Sequence, residues 1–145
     1  LDLFAGSGAV GIEALSRGAR YAFFVETNSA CLRMINENLA NLGLTGSARA
    51  EPGSALGDLS WITFKSAVPE FDLIFTGPPY KTREKAPLSY TGPVLEKIAA
   101  AKLLAPGGWV ICQHHLKEDF QAPDALESFR RVKYGDSFLS FIRWK

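Results

Sequence analysis

Leu1-Asp2-Leu3-Phe4-Ala5-Gly6-Ser7-Gly8 runs from the tail of an apolar strand, Leu1 to Phe4, into small residues and then a helix from Gly8 to Arg17 closed by Gly18. Glycines at a strand-to-helix turn let the backbone approach a ligand where a Cβ would collide. The carboxyl end of such a strand opens the crevice where α/β sheets take their ligands. Glu26 ends the next apolar run, Tyr21 to Val25, twenty residues after Gly6. From there its carboxylate can accept both hydroxyls of a ribose.

Working outward, strand and helix keep alternating. Asn28 can cap a helix that carries Leu32, Ile35, Leu39 and Leu42 on one face, with Gly43 at its left-handed C-terminus. A short strand near Ser47 to Glu51 precedes a predicted helix between Ser54 and Phe64. Phe71 to Thr76 is a continuous apolar run, as expected of a strand covered on both faces. Thr91 can cap a helix to about Leu103. Ala105-Pro106-Gly107-Gly108 then breaks the chain before a strand from Trp109 to Gln113. Segment 116–128 reads as part helix, part loop. Phe129 to Tyr134 and Ser137 to Trp144 are joined by Gly135-Asp136 alone, which makes an antiparallel hairpin. The expected fold is α/β: a Rossmann-like sheet, parallel for five strands, with one antiparallel strand near the end and helices on both faces.

The 145 residues fit one domain, with 47% apolar and 21% charged residues as in ordinary soluble proteins. No apolar run reaches the roughly 18 residues that span a bilayer, so no membrane partner is expected. The chain opens in mid-strand without Met, and an N-terminal lead-in is expected to precede it. Cys31 and Cys112 lie far apart with no C-x-x-C spacing, as buried free thiols of a cytoplasmic protein would. His114 and His115 are adjacent on a strand and point to opposite faces, so no metal site is expected. A net charge of +1 excludes a protein that holds nucleic acid with its whole surface. Any nucleic-acid substrate must be held by a local patch or by the lead-in.

Two ligands suit the first loop. Gly6, Gly8 and Gly11 satisfy the G-x-G-x-x-G pattern that binds a dinucleotide pyrophosphate at a helix N-terminus. S-adenosylmethionine offers Glu26 a ribose but has no phosphate, and its amino acid end is cationic. Asp2 favours that cationic end and sits poorly beside a pyrophosphate. The plainer alternative is that Gly6 and Gly8 only shape a tight turn.

Asp2-Leu3-Phe4-Ala5-Gly6-Ser7-Gly8 resembles the first motif of the class I methyltransferases, and Glu26 resembles their second. Pro106-Gly107-Gly108 and the closing hairpin, similar to the reversed seventh strand of that superfamily, extend the likeness over almost the whole chain. The resemblance implies S-adenosylmethionine as cofactor, held by Asp2, Phe4, Ala5, Gly6, Ser7, Gly8, Glu26, Thr27, Ser54 and Ala55. Ser54 stands where family members often place an Asp or Asn on the adenine amino group.

Phe75-Thr76-Gly77-Pro78-Pro79-Tyr80 follows the fourth strand, at the same sheet edge as the glycine loop. It resembles the (Asp/Asn)-Pro-Pro-(Tyr/Phe) motif of enzymes that methylate exocyclic amino groups of bases. Acceptors on the two amino hydrogens, a side-chain oxygen and a proline carbonyl, orient the nitrogen, while an aromatic ring stacks on the extruded base. Gly77, Pro78, Pro79 and Tyr80 are therefore the candidate catalytic residues. Gly77 departs from the pattern, since it removes the side-chain acceptor. That loss is worth roughly 1.5–3 kcal/mol, or about tenfold to a hundredfold in rate. Three readings stay open at Gly77: a weakened enzyme, an enzyme with another acceptor, or a changed residue.

Gly6 to Ala19, Phe71-Asp72-Leu73-Ile74-Phe75 and Tyr134-Gly135-Asp136 are similar to the bacterial small-subunit rRNA guanine-N2 methyltransferases. That resemblance implies methyl transfer to a guanine 2-amino group in 16S rRNA, in free RNA or assembling subunits. The oligomeric state is not read from the sequence; a monomer is the working expectation. Lys81, Arg83 and Lys85 can contact phosphates beside the active-site mouth, or be ordinary solvated lysines and arginine. Gln113 and His114 can line the base pocket, or be a satisfied polar strand end. The alternatives are a small-molecule or protein N-methyltransferase, and a silent module that binds cofactor and RNA.

Overall fold

Phe23 and Phe24 follow one another on a strand, point to opposite faces and are both fully buried. That strand must therefore carry a packed layer on each side. The computed structural model describes residues 1–79 and 89–145. In chain order it runs β1 (Asp2–Leu3), α1 (Ala9–Ser16), β2 (Ala22–Glu26), α2 (Ser29–Asn41), a 3-10 turn (Thr45–Ser47) and β3 (Ala48–Pro52). There follow α3 (Ile62–Lys65), β4 (Phe71–Thr76), α4 (Thr91–Ala100), β5 (Leu104–His115), β6 (Leu126–Tyr134) and β7 (Ser137–Trp144).

The described residues form a seven-stranded sheet in the order β3-β2-β1-β4-β5-β7-β6. Strands β1 to β5 pair in parallel, and β7 is antiparallel to both of its neighbours, β5 and β6. Strand order reverses at β1, which has β2 on one side and β4 on the other. The crevice beyond the carboxyl ends of β1 and β4 is the switch point where such sheets bind ligands. On one face Leu15 of α1 and Ile35 and Leu39 of α2 pack on Phe24. On the other, Ile62 of α3 and Val94, Leu95 and Ile98 of α4 pack on Phe23, Ile74 and Val110. The Rossmann-like class I methyltransferase sheet read from the sequence is the fold observed.

Local chemistry explains most boundaries. The Asn28 side chain accepts the amide hydrogens of Ala30 and Cys31, starting α2. Leu44 donates its amide hydrogen to Leu39 O across Gly43, which ends it. Leu42, expected on the buried stripe, is 57% exposed and lies at the C-cap, one residue past the end of α2.

Four other expectations need correction. The helix between Ser54 and Phe64 shrinks to Ile62–Lys65. Asp58 accepts both the amide and the hydroxyl of Ser60, offering the backbone a turn in place of a helix. Thr91 does not cap α4: Tyr90 holds that position, and the Thr91 amide donates to Glu118 Oε1 at 2.9 Å. The helix also stops at Ala100, short of Leu103. Finally, Pro106-Gly107-Gly108 lies inside β5 as an irregularity, where the pairing with β4 skips from Phe71↔Leu104 to Leu73↔Trp109.

Candidate active site

After β1 the backbone turns through left-handed conformations at Phe4, Gly6 and Gly8, with φ of +62°, +55° and +80°. For a side-chain-bearing residue this costs roughly 1–2 kcal/mol, so Phe4 is held there by its surroundings. Its ring stacks parallel to Tyr90 with centroids 6.1 Å apart. The Gly8 amide closes the turn on Ala5 O at 2.8 Å. Gly11 serves another purpose: a Cβ there would lie 2.3 Å from Phe24 Cε1, so its absence lets α1 settle on the sheet.

Glu26 ties this loop to the next one. Its Oε2 accepts the Gly6 amide hydrogen at 2.8 Å, across twenty residues of sequence. Its Oε1 accepts from the amides of Thr27 at 2.8 Å and Asn28 at 2.9 Å, and from the Thr27 hydroxyl. Burial pushes this carboxyl upward, but the bonds from Asn28, Gly6 and Thr27 together outweigh it and hold it below the ordinary range. The group is a carboxylate at neutral pH, aimed at the crevice.

Glu26, Thr27, Phe4, Ser54 and Ala55 share a cleft of about 700 Å³ with Gly77 and Pro79 of the second motif. Sequence-distant residues are thus brought onto one wall-and-floor arrangement. The Ser54 hydroxyl accepts from Leu56 N at 3.3 Å. Asn28, Cys31, Gly53, Leu56 and Tyr90 also line the cleft and were missed. Asn28 and Gly53 adjoin recognised positions, so proximity was a usable signal. Tyr90 carried none, because its place depends on the Phe4 ring.

The remaining described members of the predicted set do not line that cleft. Asp2 is buried, and its Oδ2 accepts the Gly11 amide at 3.1 Å. Burial raises its carboxyl to about 7 against the lowering effect of that bond. Ala5 packs in the core, and Ser7 O accepts from Asn38 Nδ2 at 3.3 Å. Pro78 is buried. Tyr80, Lys81, Arg83 and Lys85 lie outside the described residues.

Gln113 and His114 part company. His114 is wholly buried on the α4 face, its Nε2 2.8 Å from Ser140 Oγ. Burial holds its imidazole below the ordinary value, and Arg131, which also donates to Ser140 Oγ at 3.0 Å, adds to that. His114 therefore belongs to a buried polar network, while Gln113 faces the opposite side. Among the described residues no three His, Cys, Asp or Glu converge as a metal-binding group, and no helix is long and apolar enough to cross a membrane.

Comparison with known proteins agrees with the geometry. The chain is 34% identical over 138 residues to the Bacillus subtilis protein named "Putative rRNA methyltransferase YlbH", a match covering 93% of this chain and 70% of that one. It is 38% identical over 81 residues to ribosomal RNA small subunit methyltransferase D of Escherichia coli, covering 56% of this chain but only 38% of the other. The Escherichia coli structure titled "Putative methyltransferase yhhF" superposes with a TM-score of 0.79 at 24% identity, over 99% of this chain and 74% of that one, and so supports the fold. The family model described as conserved hypothetical protein 95 matches residues 1–143, and the chain belongs to that family, one of class I methyltransferases related to ribosomal RNA small subunit methyltransferase D.

Proposed function

We propose that this methyltransferase transfers a methyl group from S-adenosylmethionine to an exocyclic amino group of an rRNA base, the 2-amino group of a guanine in 16S rRNA. The observation that carries the reading is the Gly6–Glu26 hydrogen bond at the cleft that also holds Gly77 and Pro79. A pyrophosphate would need the Gly6 amide as a donor, and that amide is already committed to a carboxylate. The Glu26 carboxylate in the cleft suits a ligand with hydroxyl donors and a positive charge instead. Ser54 and the Phe4–Tyr90 stack supply a polar and an aromatic surface for adenine.

When bound, S-adenosylmethionine supplies a methyl group on a sulfonium. The amino lone pair forms the new C–N bond as the C–S pair returns to sulfur, and the surplus amino proton leaves to water. The chain's own part is to orient the amino group, through the Pro78 carbonyl and the stacking ring of Tyr80. Gly77 supports a second reading, a silent module that binds cofactor and RNA without catalysis.

Radiolabelled methyl transfer to unmethylated 30S subunits, free 16S rRNA and tRNA, with calorimetry for S-adenosylmethionine and NAD, tests both. Transfer to one small-subunit substrate with no NAD binding is expected. Tight NAD binding with none for the sulfonium compound overturns the methyltransferase reading. Cofactor binding with no transfer to any RNA favours the silent module.

A further inference from the structure

Register alone places Gln113 beside Gly77. Strands β4 and β5 pair in parallel with Thr76 opposite Cys112, so the next residues along, Gly77 and Gln113, lie side by side at the carboxyl edge. Side chains alternate along β5: Cys112 and His114 are buried on the α4 face, and Gln113 points to the other. A Cβ built on Gly77 would lie 3.6 Å from Gln113 Oε1 and 3.0 Å from the edge of the Phe75 ring. An aspartate oxygen stands two bonds beyond its Cβ. The Gln113 amide oxygen therefore occupies the neighbourhood that an acidic side chain at 77 would fill, on a glycine that itself lines the cofactor cleft. On its other side Gln113 opens into a cavity of about 220 Å³ shared with Tyr134, Ser137 and Leu139. Tyr134, which lines it, is 63% exposed.

We propose that Gln113 is the acceptor that replaces the missing side chain at position 77: its Oε1 accepts one hydrogen of the target amino group, with the base seated toward Tyr134. This rests on the base-methylation reading above. A neutral amide accepts as a carboxylate does, without the negative charge, and orients the nitrogen without taking a proton. The departing amino proton still goes to water.

The test compares the parent with Gln113→Leu, which keeps bulk and loses the acceptor, and Gln113→Glu, which keeps an acceptor. Expected for Gln113→Leu is a tenfold to hundredfold fall in kcat, with S-adenosylmethionine affinity within about twofold of the parent. Gln113→Glu should restore most of the rate, and Gly77→Asp should recover activity in the Gln113→Leu background. Unchanged turnover in Gln113→Leu overturns the acceptor role and leaves the methyltransferase reading standing. If the parent binds cofactor but methylates no RNA, that reading fails, and the acceptor role is read instead from ligand discrimination. With S-adenosylhomocysteine bound, the parent should hold guanosine more tightly than inosine, which lacks the 2-amino group. Loss of that preference in Gln113→Leu supports the assignment; equal affinities in the parent overturn it.

Discussion

Asp2 and Glu26 are both carboxyls at the glycine loop, yet their environments drive them in opposite directions. Glu26 gains enough amide donors to sit below its ordinary range, so its stabilising contribution is present above that range and is lost as pH falls through the lowered value. Asp2 has one amide bond against deep burial and rises from 3.8 to about 7. Its contribution is therefore fullest below pH 3.8 and is lost as pH rises toward 7. At 1.36 kcal/mol per pH unit, the whole change corresponds to roughly 4 kcal/mol. Asp2→Asn keeps an acceptor for the Gly11 amide but cannot ionise. Its stability relative to the parent should improve steadily between pH 4 and 8, as followed by urea unfolding. A constant difference across that range would mean that Asp2 is ionised throughout. Such tuning was invisible in the sequence, where Glu26 read as a partner for ribose hydroxyls and Asp2 as a partner for a cationic amino acid end.

At the scale of elements, Gly11 shows how one missing atom sets a packing distance. A Cβ there overlaps Phe24 Cε1 at 2.3 Å, and Phe24 is locked between α1 and α2 with no exposed surface. Gly11→Ala should lower stability by about 1–3 kcal/mol despite alanine's better helix propensity, because α1 must lift or the ring must leave its rotamer. Thermal melting checks the sign: a stabilised Gly11→Ala protein would show that the helix gives way freely. The same contrast decides what was legible in the sequence. Strand Ala22–Glu26, buried on both faces, announced itself as a continuous apolar run, whereas Phe71–Thr76, read the same way, leaves Asp72 and Leu73 exposed. Helix α2 announced itself through its Asn28 cap and the Gly43 stop. The region after Ser54 did not, because its turn comes from Asp58 bonding Ser60, a side-chain choice that outweighs apolar periodicity. At the site, the loop glycines and Glu26 were readable because chemistry demands those residue types. Tyr90 and the Gly77–Gln113 adjacency were not, since only strand register and ring stacking create them.

The molecule as a whole carries 16 basic and 15 acidic side chains, and the balance limits how it can hold RNA. Part of the basic charge is already spent: Arg17, Arg49 and Arg143 pair with Glu13, Glu51 and Glu127. Arg130 lies over the Phe141 ring, 5.2 Å from its centroid, and Arg131 over Phe138 at 5.3 Å. A long-range field of one sign cannot form from such a distribution, so attraction must come from a few local phosphate contacts. Lys81, Arg83 and Lys85 follow the second motif directly and are the candidates. Each phosphate neutralised on a single strand contributes about −0.7 to the slope of log affinity against log salt. Three contacts give a slope near −2, shallow for an RNA-binding protein. Replacing all three by alanine should bring the slope close to zero while leaving S-adenosylmethionine affinity intact. Filter binding of a 16S rRNA fragment between 50 and 200 mM salt, the range in which counterion release is readily measured, gives both slopes. A steep parent slope that survives the triple replacement would place the RNA-holding surface away from the second motif. RNA would then reach the cleft under the control of another part of the protein.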